Sequence, residues 1–303
     1  MRENIEFTSE GTICRGWLDR PDNAAGTTPL VLMAHGFGAT RDMHLEQYAQ
    51  RFNAIGCATL LFDYRNFGAS DGQPRAWLDP DREIADWQAA LAFARTLPGI
   101  DRRRIVLWGT SFAGGLVISV AGRDRPAPGE AIAATISQCP MLDGLASGLE
   151  VARYAGVGAL ARLSAIGMAD AAGALLGRPP RYIPIVAKPG EVGAMTTADA
   201  WDGYLKLVTP GFRNEVTART TLKVPLFRPI QDAPNVKCPA LFVVCTKDSV
   251  APAAIAEKAA GRIPKAEVVR FPVGHFDVYF GPDFERSVGA MEDFLRRHIG
   301  AAR

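Results

Sequence analysis

Through most of the chain, short apolar runs alternate with longer stretches in which apolar residues recur at helical spacing. Runs such as Pro29-Leu30-Val31-Leu32-Met33-Ala34 and Ala240-Leu241-Phe242-Val243-Val244-Cys245 offer no polar face. This is the signature of parallel strands buried on both sides. The pattern predicts strands near 29–34, 58–63, 105–110 and 133–139, with helices near 43–55, 81–97 and 112–122 between them. Residues 4–20 alternate polar and apolar about Gly11 and read as an antiparallel hairpin at a sheet edge. Alternation of this kind argues for the α/β class, with a mostly parallel sheet and helices on both faces.

The pattern stops after residue 142 and resumes near Val236 with strand, helix, strand and a last amphipathic helix. Residues 1–142 and 233–303 therefore read as one core, and 143–232 as an insertion. Within the insertion, 149–176 is helical by composition and apolar all round, which suits burial or a homodimer surface. Arg178-Pro179-Pro180 ends that helix, an extended arm follows at 182–186, and Thr197-Ala198-Asp199 reads as a capped helix start. The insertion leaves the sheet just after the strand ending near Pro140, so it is expected to form a mainly helical cap over that sheet edge. Met195, Trp201, Tyr204, Phe212 and Phe227 would give the cap an apolar ceiling. Met195, Trp201 and Tyr204 are the candidates for substrate contact, although each also suits the cap's own core.

Candidate chemistry enters at Trp108-Gly109-Thr110-Ser111-Phe112-Ala113-Gly114-Gly115. A serine between a buried strand and a helix, with Gly109 and Ala113 two positions either side, has the form of a nucleophile elbow. The turn strains the serine backbone, so its neighbours must lack bulk. A small-residue cluster that merely packs a helix onto a sheet would look similar, and the rest of the chain separates the two readings. A nucleophilic serine needs a base, and of His35, His44, His275 and His298 only the last two follow Ser111. His298 sits on the terminal amphipathic helix, whereas His275 follows a strand, Glu267 to Phe271, that breaks into a loop marked by Gly274. His275 is the base by position. The acid follows from Thr246-Lys247-Asp248-Ser249-Val250-Ala251-Pro252, where Asp248 emerges at the end of a buried strand. Asp143 competes for that role, and an aspartate at either place also suits a helix cap; the K-D-x-V-x-P context favours Asp248. His35-Gly36-Phe37-Gly38 lets backbone approach a carbonyl, so the N–H groups of Phe37 and Phe112 form the expected oxyanion hole. His35 itself reads as a structural histidine.

With H-G-F-G, G-T-S-F-A-G-G, K-D-x-V-x-P and G-H in this order, the chain resembles the α/β-hydrolases. The loop Asp63-Tyr64-Arg65-Asn66-Phe67-Gly68-Ala69-Ser70 agrees, with Asn66 where glycine is commoner in that family. The likeness covers roughly 28–142 and 234–300. It implies a Ser111-Asp248-His275 triad and an acyl-enzyme that needs neither cofactor nor metal. It leaves the substrate open, since esterases, thioesterases, amidases, peptidases and carbon–carbon hydrolases share these elements. A carboxylic ester or thioester of a small, partly hydrophobic molecule is the expectation. The alternatives are an amidase, peptidase or carbon–carbon hydrolase on the same triad, or a non-catalytic binding protein of the same fold.

Composition narrows the partners. A formal net charge of +2 and the lack of a basic, aromatic-laced stripe argue against nucleic acid. The five cysteines have no metal-type spacing and mostly fall in or beside apolar strands, as buried free thiols do. Met1 to Phe7 has no apolar leader and no run reaches membrane-spanning length, so a cytoplasmic protein acting on a small molecule is expected.

Overall fold

The computed structural model describes residues 2–22 and 26–300. Eight strands form its central sheet: β1 (Arg2–Ser9), β2 (Thr12–Asp19), β3 (Thr28–Ala34), β4 (Ala58–Phe62), β5 (Ile100–Thr110), β6 (Ala134–Gln138), β9 (Ala240–Cys245) and β10 (Ala266–Phe271). Their order is β1-β2-β4-β3-β5-β6-β9-β10. The expected hairpin is present, with β1 and β2 antiparallel and β2 antiparallel to β4. All remaining pairs are parallel. Every residue of β3, β4, β6 and β9 is buried, which is why these strands read as unbroken apolar runs.

From β3 the chain steps outward to β4 through α1 (Glu46–Ala54), then back across β3 to β5 through α2 (Pro80–Thr96). Right-handed crossovers put helices on opposite faces when the direction reverses. Thus α3 (Phe112–Arg123) and α8 (Ala253–Ala260) share the face of α2, and α9 (Gly281–Ile299) returns to pack against α1. Because these strands are parallel the loops after them share one sheet edge, and the reversal opens a crevice there, where α/β folds bind ligands.

Asp101-Arg102-Arg103-Arg104 form the irregular start of β5. Pairing with β3 shifts register there, and Asp101 pairs with Arg104 at 2.9 Å. The insertion's first helix is two helices, α4 (Gly144–Ala155) and α5 (Val157–Leu175), broken at Gly156 with φ +85°. The pair begins at Gly144, ahead of the 149–176 span the composition suggested, and ends at Leu175, one residue short of it. Only Leu163, Gly167 and Asp170 of α5 are buried, and Val157, Met168 and Leu175 are exposed. The arm contributes β7 (Tyr182–Ile183), paired with β8 (Val216–Thr217), and between them lies α6 (Ala200–Leu205). α7 (Thr220–Lys223) and three short 3₁₀ turns lead back to the sheet. Among the described residues no helix is long and apolar enough to cross a membrane.

Candidate active site

The strand-to-helix turn at Ser111 has the geometry its small neighbours imply. Ser111 adopts φ 57° and ψ −116°, a strained conformation for a residue with a Cβ. Its N–H donates to Gln138 O at 2.8 Å, and its carbonyl accepts from Met141 N at 3.0 Å, so β6 and the segment after it brace the turn. A Cβ on Gly109 would lie 2.2 Å from Ala113 O, which explains why only glycine fits there.

Asp248, His275 and Ser111 form one hydrogen-bonded chain. His275 Nε2 lies 2.9 Å from Ser111 Oγ, and His275 Nδ1 lies 2.6 Å from Asp248 Oδ2. Asp248 Oδ1 accepts from Val250 N at 2.8 Å and Ala251 N at 2.7 Å, which fixes the carboxylate. The two loops are joined by Lys247 N donating to Val273 O at 3.0 Å. Burial works against a charged His275, but the charge of Asp248, then that of Cys139, then the hydrogen bond to Asp248 and the charge of Asp199 together prevail. The imidazole pKa is therefore raised above its usual value.

The loop after β3 reaches the same point. Were Gly36 to carry a Cβ, it would sit 3.1 Å from Ser111 Cβ, so this backbone touches the serine directly. The rings of Phe37 and Phe112 meet edge to face at 5.7 Å, and neither main-chain N–H has an acceptor among the described residues. Two free donors beside a serine can receive a developing oxyanion.

The other sequence candidates fall elsewhere. Asp143 caps α4 through Leu145 N at 3.0 Å and pairs with Arg228 at 2.8 Å, away from the histidine. His35 is buried against Tyr64 at 4.6 Å, with Nδ1 3.0 Å from Gly36 O. Burial lowers its pKa despite nearby Asp63, in keeping with a structural role. Asn66 adopts φ 74°, which asparagine tolerates better than most side chains, so it stands in for the commoner glycine. His298 pairs with Glu267 at 2.8 Å on the far helix. Met195 lines both cavities that reach Ser111, and Tyr204 lines one of them. Trp201 lines neither; its ring faces Lys188 at 5.9 Å. A separate cleft of about 520 Å³ is lined by Arg41, Arg75, Phe212 and Glu215 and contains no member of the hydrogen-bonded chain.

Two insertion residues carry more of the site than the sequence suggested. Tyr204 Oη donates to Phe37 O at 2.9 Å, so α6 holds the backbone that carries the Phe37 N–H. Asp199 does begin α6, but its carboxylate does not cap the helix: it accepts from Ser249, the neighbour of Asp248, and from Thr197. Tyr204→Phe leaves the Phe37 carbonyl unsatisfied in a buried place. It is expected to lower kcat about tenfold with little change in KM, on steady-state assay, because a lost buried hydrogen bond of this kind costs about 1–2 kcal/mol.

The chain matches the sequence profile of the Alpha/beta hydrolase family over residues 31–285. It is 40% identical over 298 residues to the quorum-quenching protein AidA of Acinetobacter baumannii, covering 98% of this chain and 95% of that one. A thiohydrolase of Eupenicillium brefeldianum is 28% identical over 296 residues, covering 94% of this chain and 90% of its own. Among solved structures, DcsB in complex with its substrate analogue superposes with a TM-score of 0.84 at 25% identity, covering 99% of this chain and 100% of that one. With the sheet order and the elbow at Ser111, these matches make the protein a member of the α/β-hydrolase family.

Proposed function

We propose that the protein is a serine hydrolase that cleaves a carboxylic ester or thioester of a small, partly hydrophobic molecule through an acyl-enzyme. The observation that carries this reading is the unbroken Asp248–His275–Ser111 chain, which ends at a strained serine beside two free N–H groups. Ser111 Oγ attacks the carbonyl carbon while His275 Nε2 takes its proton. The N–H groups of Phe37 and Phe112 hold the oxyanion. As the tetrahedral intermediate collapses, the bond to the leaving group breaks and His275 hands that group the proton. Water then adds to the acyl-enzyme with His275 as base, the acyl–Ser111 bond breaks, and the carboxylic acid departs. Asp248 holds the ring with its proton on Nδ1 and stabilises the imidazolium.

The name of one relative agrees with this class: it is a thiohydrolase. In this reading residues 143–232 act as the cap, since Met195, Thr197, Tyr204 and Leu207 wall the cavities at Ser111. The test is labelling by a fluorophosphonate probe, followed by rates on p-nitrophenyl esters, acyl-CoA thioesters and aryl amides. Labelling that disappears in Ser111→Ala, with ester or thioester turnover above amide turnover, is the expected result. Absence of labelling would favour a binding protein, and amide preference the amidase alternative.

The raised pKa of His275 has a consequence for pH. Only the neutral ring can accept the serine proton, so kcat/KM should climb with pH through a limb above the ordinary histidine value of about 6.5. A profile on one good ester, measured between mild acid and mild alkali, checks this. A limb below that value would contradict the dominance of Asp248.

A further inference from the structure

The direction of proton transfer assigns sides to the site. On the proposed serine-hydrolase reading, His275 must protonate the leaving group, so that group faces the imidazole and the acyl carbons leave the carbonyl another way. Two cavities touch Ser111. One, about 30 Å³, is lined by His275, Phe276 and Tyr204. The other, about 60 Å³, is lined by Phe112, Met141 and Val250 and has no contact with His275.

The second cavity does not end there. It shares Phe37, Ser147, Val151, Ala194 and Val224 with a further cavity of about 110 Å³, which continues past Leu160 and Leu163 of α5. Together they make one passage from the nucleophile to the space between α4 and α5. Its walls are largely apolar; the hydroxyls of Ser164, Thr197, Thr220 and Thr221 donate to protein oxygens, which leaves Ser147 Oγ as the one wall hydroxyl without a partner among the described residues.

The way α4 sits explains why the passage is open. Gly144 is pressed onto the chain after α7, where an added Cβ would lie 1.9 Å from Val224 O. Asp143 caps the helix and pairs with Arg228 beside that contact. One turn later Gly148 also faces the passage, and a Cβ there would meet nothing within 4 Å. The helix is anchored at its N-terminal end, and one turn further on a glycine leaves the lumen unfilled.

We propose that this passage is the acyl-binding site and that it takes a linear hydrocarbon chain. At about 30 Å³ per water-sized group, the two cavities hold on the order of six such groups. The acyl part is therefore an unbranched chain of about six to eight carbons. A bulky aromatic or branched acyl group does not fit the first, narrower cavity.

The experiment compares kcat/KM on p-nitrophenyl esters from acetate to dodecanoate for the wild type, Gly148→Ala, Gly148→Leu and Ser147→Leu. In the wild type, kcat/KM should rise about fourfold per methylene up to six to eight carbons and then stop rising. Gly148→Leu, which adds four carbons, should lower the octanoate-to-acetate ratio by about 50-fold or more, and Ser147→Leu, with a net gain of two heavy atoms, by about 15-fold. Gly148→Ala should lower that ratio less than about fourfold while raising the melting temperature, since alanine suits a helix interior better than glycine. Stoichiometric labelling of Ser111 by a small fluorophosphonate establishes that each variant is folded. A wild-type rate that is flat or falling beyond acetate overturns the proposal, as does an unchanged octanoate-to-acetate ratio in both leucine variants. Failure of the underlying reading shows differently: no fluorophosphonate labelling in the wild type, or ester turnover that persists in Ser111→Ala.

Discussion

Ser111→Ala is expected to lower kcat by about six orders of magnitude, to the level supplied by binding and the oxyanion donors alone. The size of the effect follows from how the three residues act as one unit. Without Oγ there is no acyl-enzyme, and His275 and Asp248 keep their mutual contact of 2.6 Å but have nothing to activate. The fold should survive, because alanine meets the same backbone constraint at φ 57° as serine and the turn is braced by main-chain bonds to Gln138 and Met141. Steady-state rates on the best ester, together with a thermal melt within a few degrees of the wild type, check both halves. Residual turnover within tenfold of the wild type would remove Ser111 from the mechanism.

The elbow could be read from the sequence because its constraint is steric and local. A turn that places Gly109 against the Ala113 carbonyl admits only small side chains, and the buried strand before it leaves an apolar run. Asp248 could be read because it follows such a run, and His275 because it follows a strand that breaks into a Gly-marked loop at the same sheet edge. The role of Tyr204 was hidden, since its partner is the main-chain carbonyl of Phe37, 167 positions away, and a carbonyl leaves no mark on the sequence. Asp199 was visible as a helix start, yet where its side chain points depends on Ser249, which only the fold brings near. The start of α4, residues 144–148, was missed for a related reason. Small residues at 144, 147 and 148 carry no apolar periodicity, because their faces meet either backbone or empty space. The apolar character of 149–176 suggested one continuous helix, and Gly156 at positive φ divides it. Trp201 fitted an apolar ceiling by composition, but the short α6 turns Tyr204 inward, while Trp201 lies against Lys188.

Asp248→Asn separates the proposed acid from its competitor and is expected to cost roughly four orders of magnitude in kcat. The hydrogen bonds already present decide which way the amide sits. Oδ1 of Asp248 accepts two main-chain N–H groups, from Val250 and Ala251, and only an oxygen can take that place. The asparagine NH₂ must then face Nδ1 of His275, which turns that nitrogen into an acceptor and moves the ring proton to Nε2. The nitrogen facing Ser111 Oγ is thereby a donor and cannot remove the serine proton. Loss of the carboxylate also removes the main influence that raises the His275 pKa, so the acidic limb of the remaining activity should move to lower pH. Asp143→Asn is the matched control. Its carboxylate caps α4 and pairs with half-exposed Arg228, so the change should cost about 1 kcal/mol of stability and less than about tenfold in kcat. Rates, pH profiles and melts on the two variants side by side give the answer. If Asp143→Asn is the crippling change and Asp248→Asn is mild, Asp143 supplies the acid and the hydrogen-bonded chain through Asp248 is only structural.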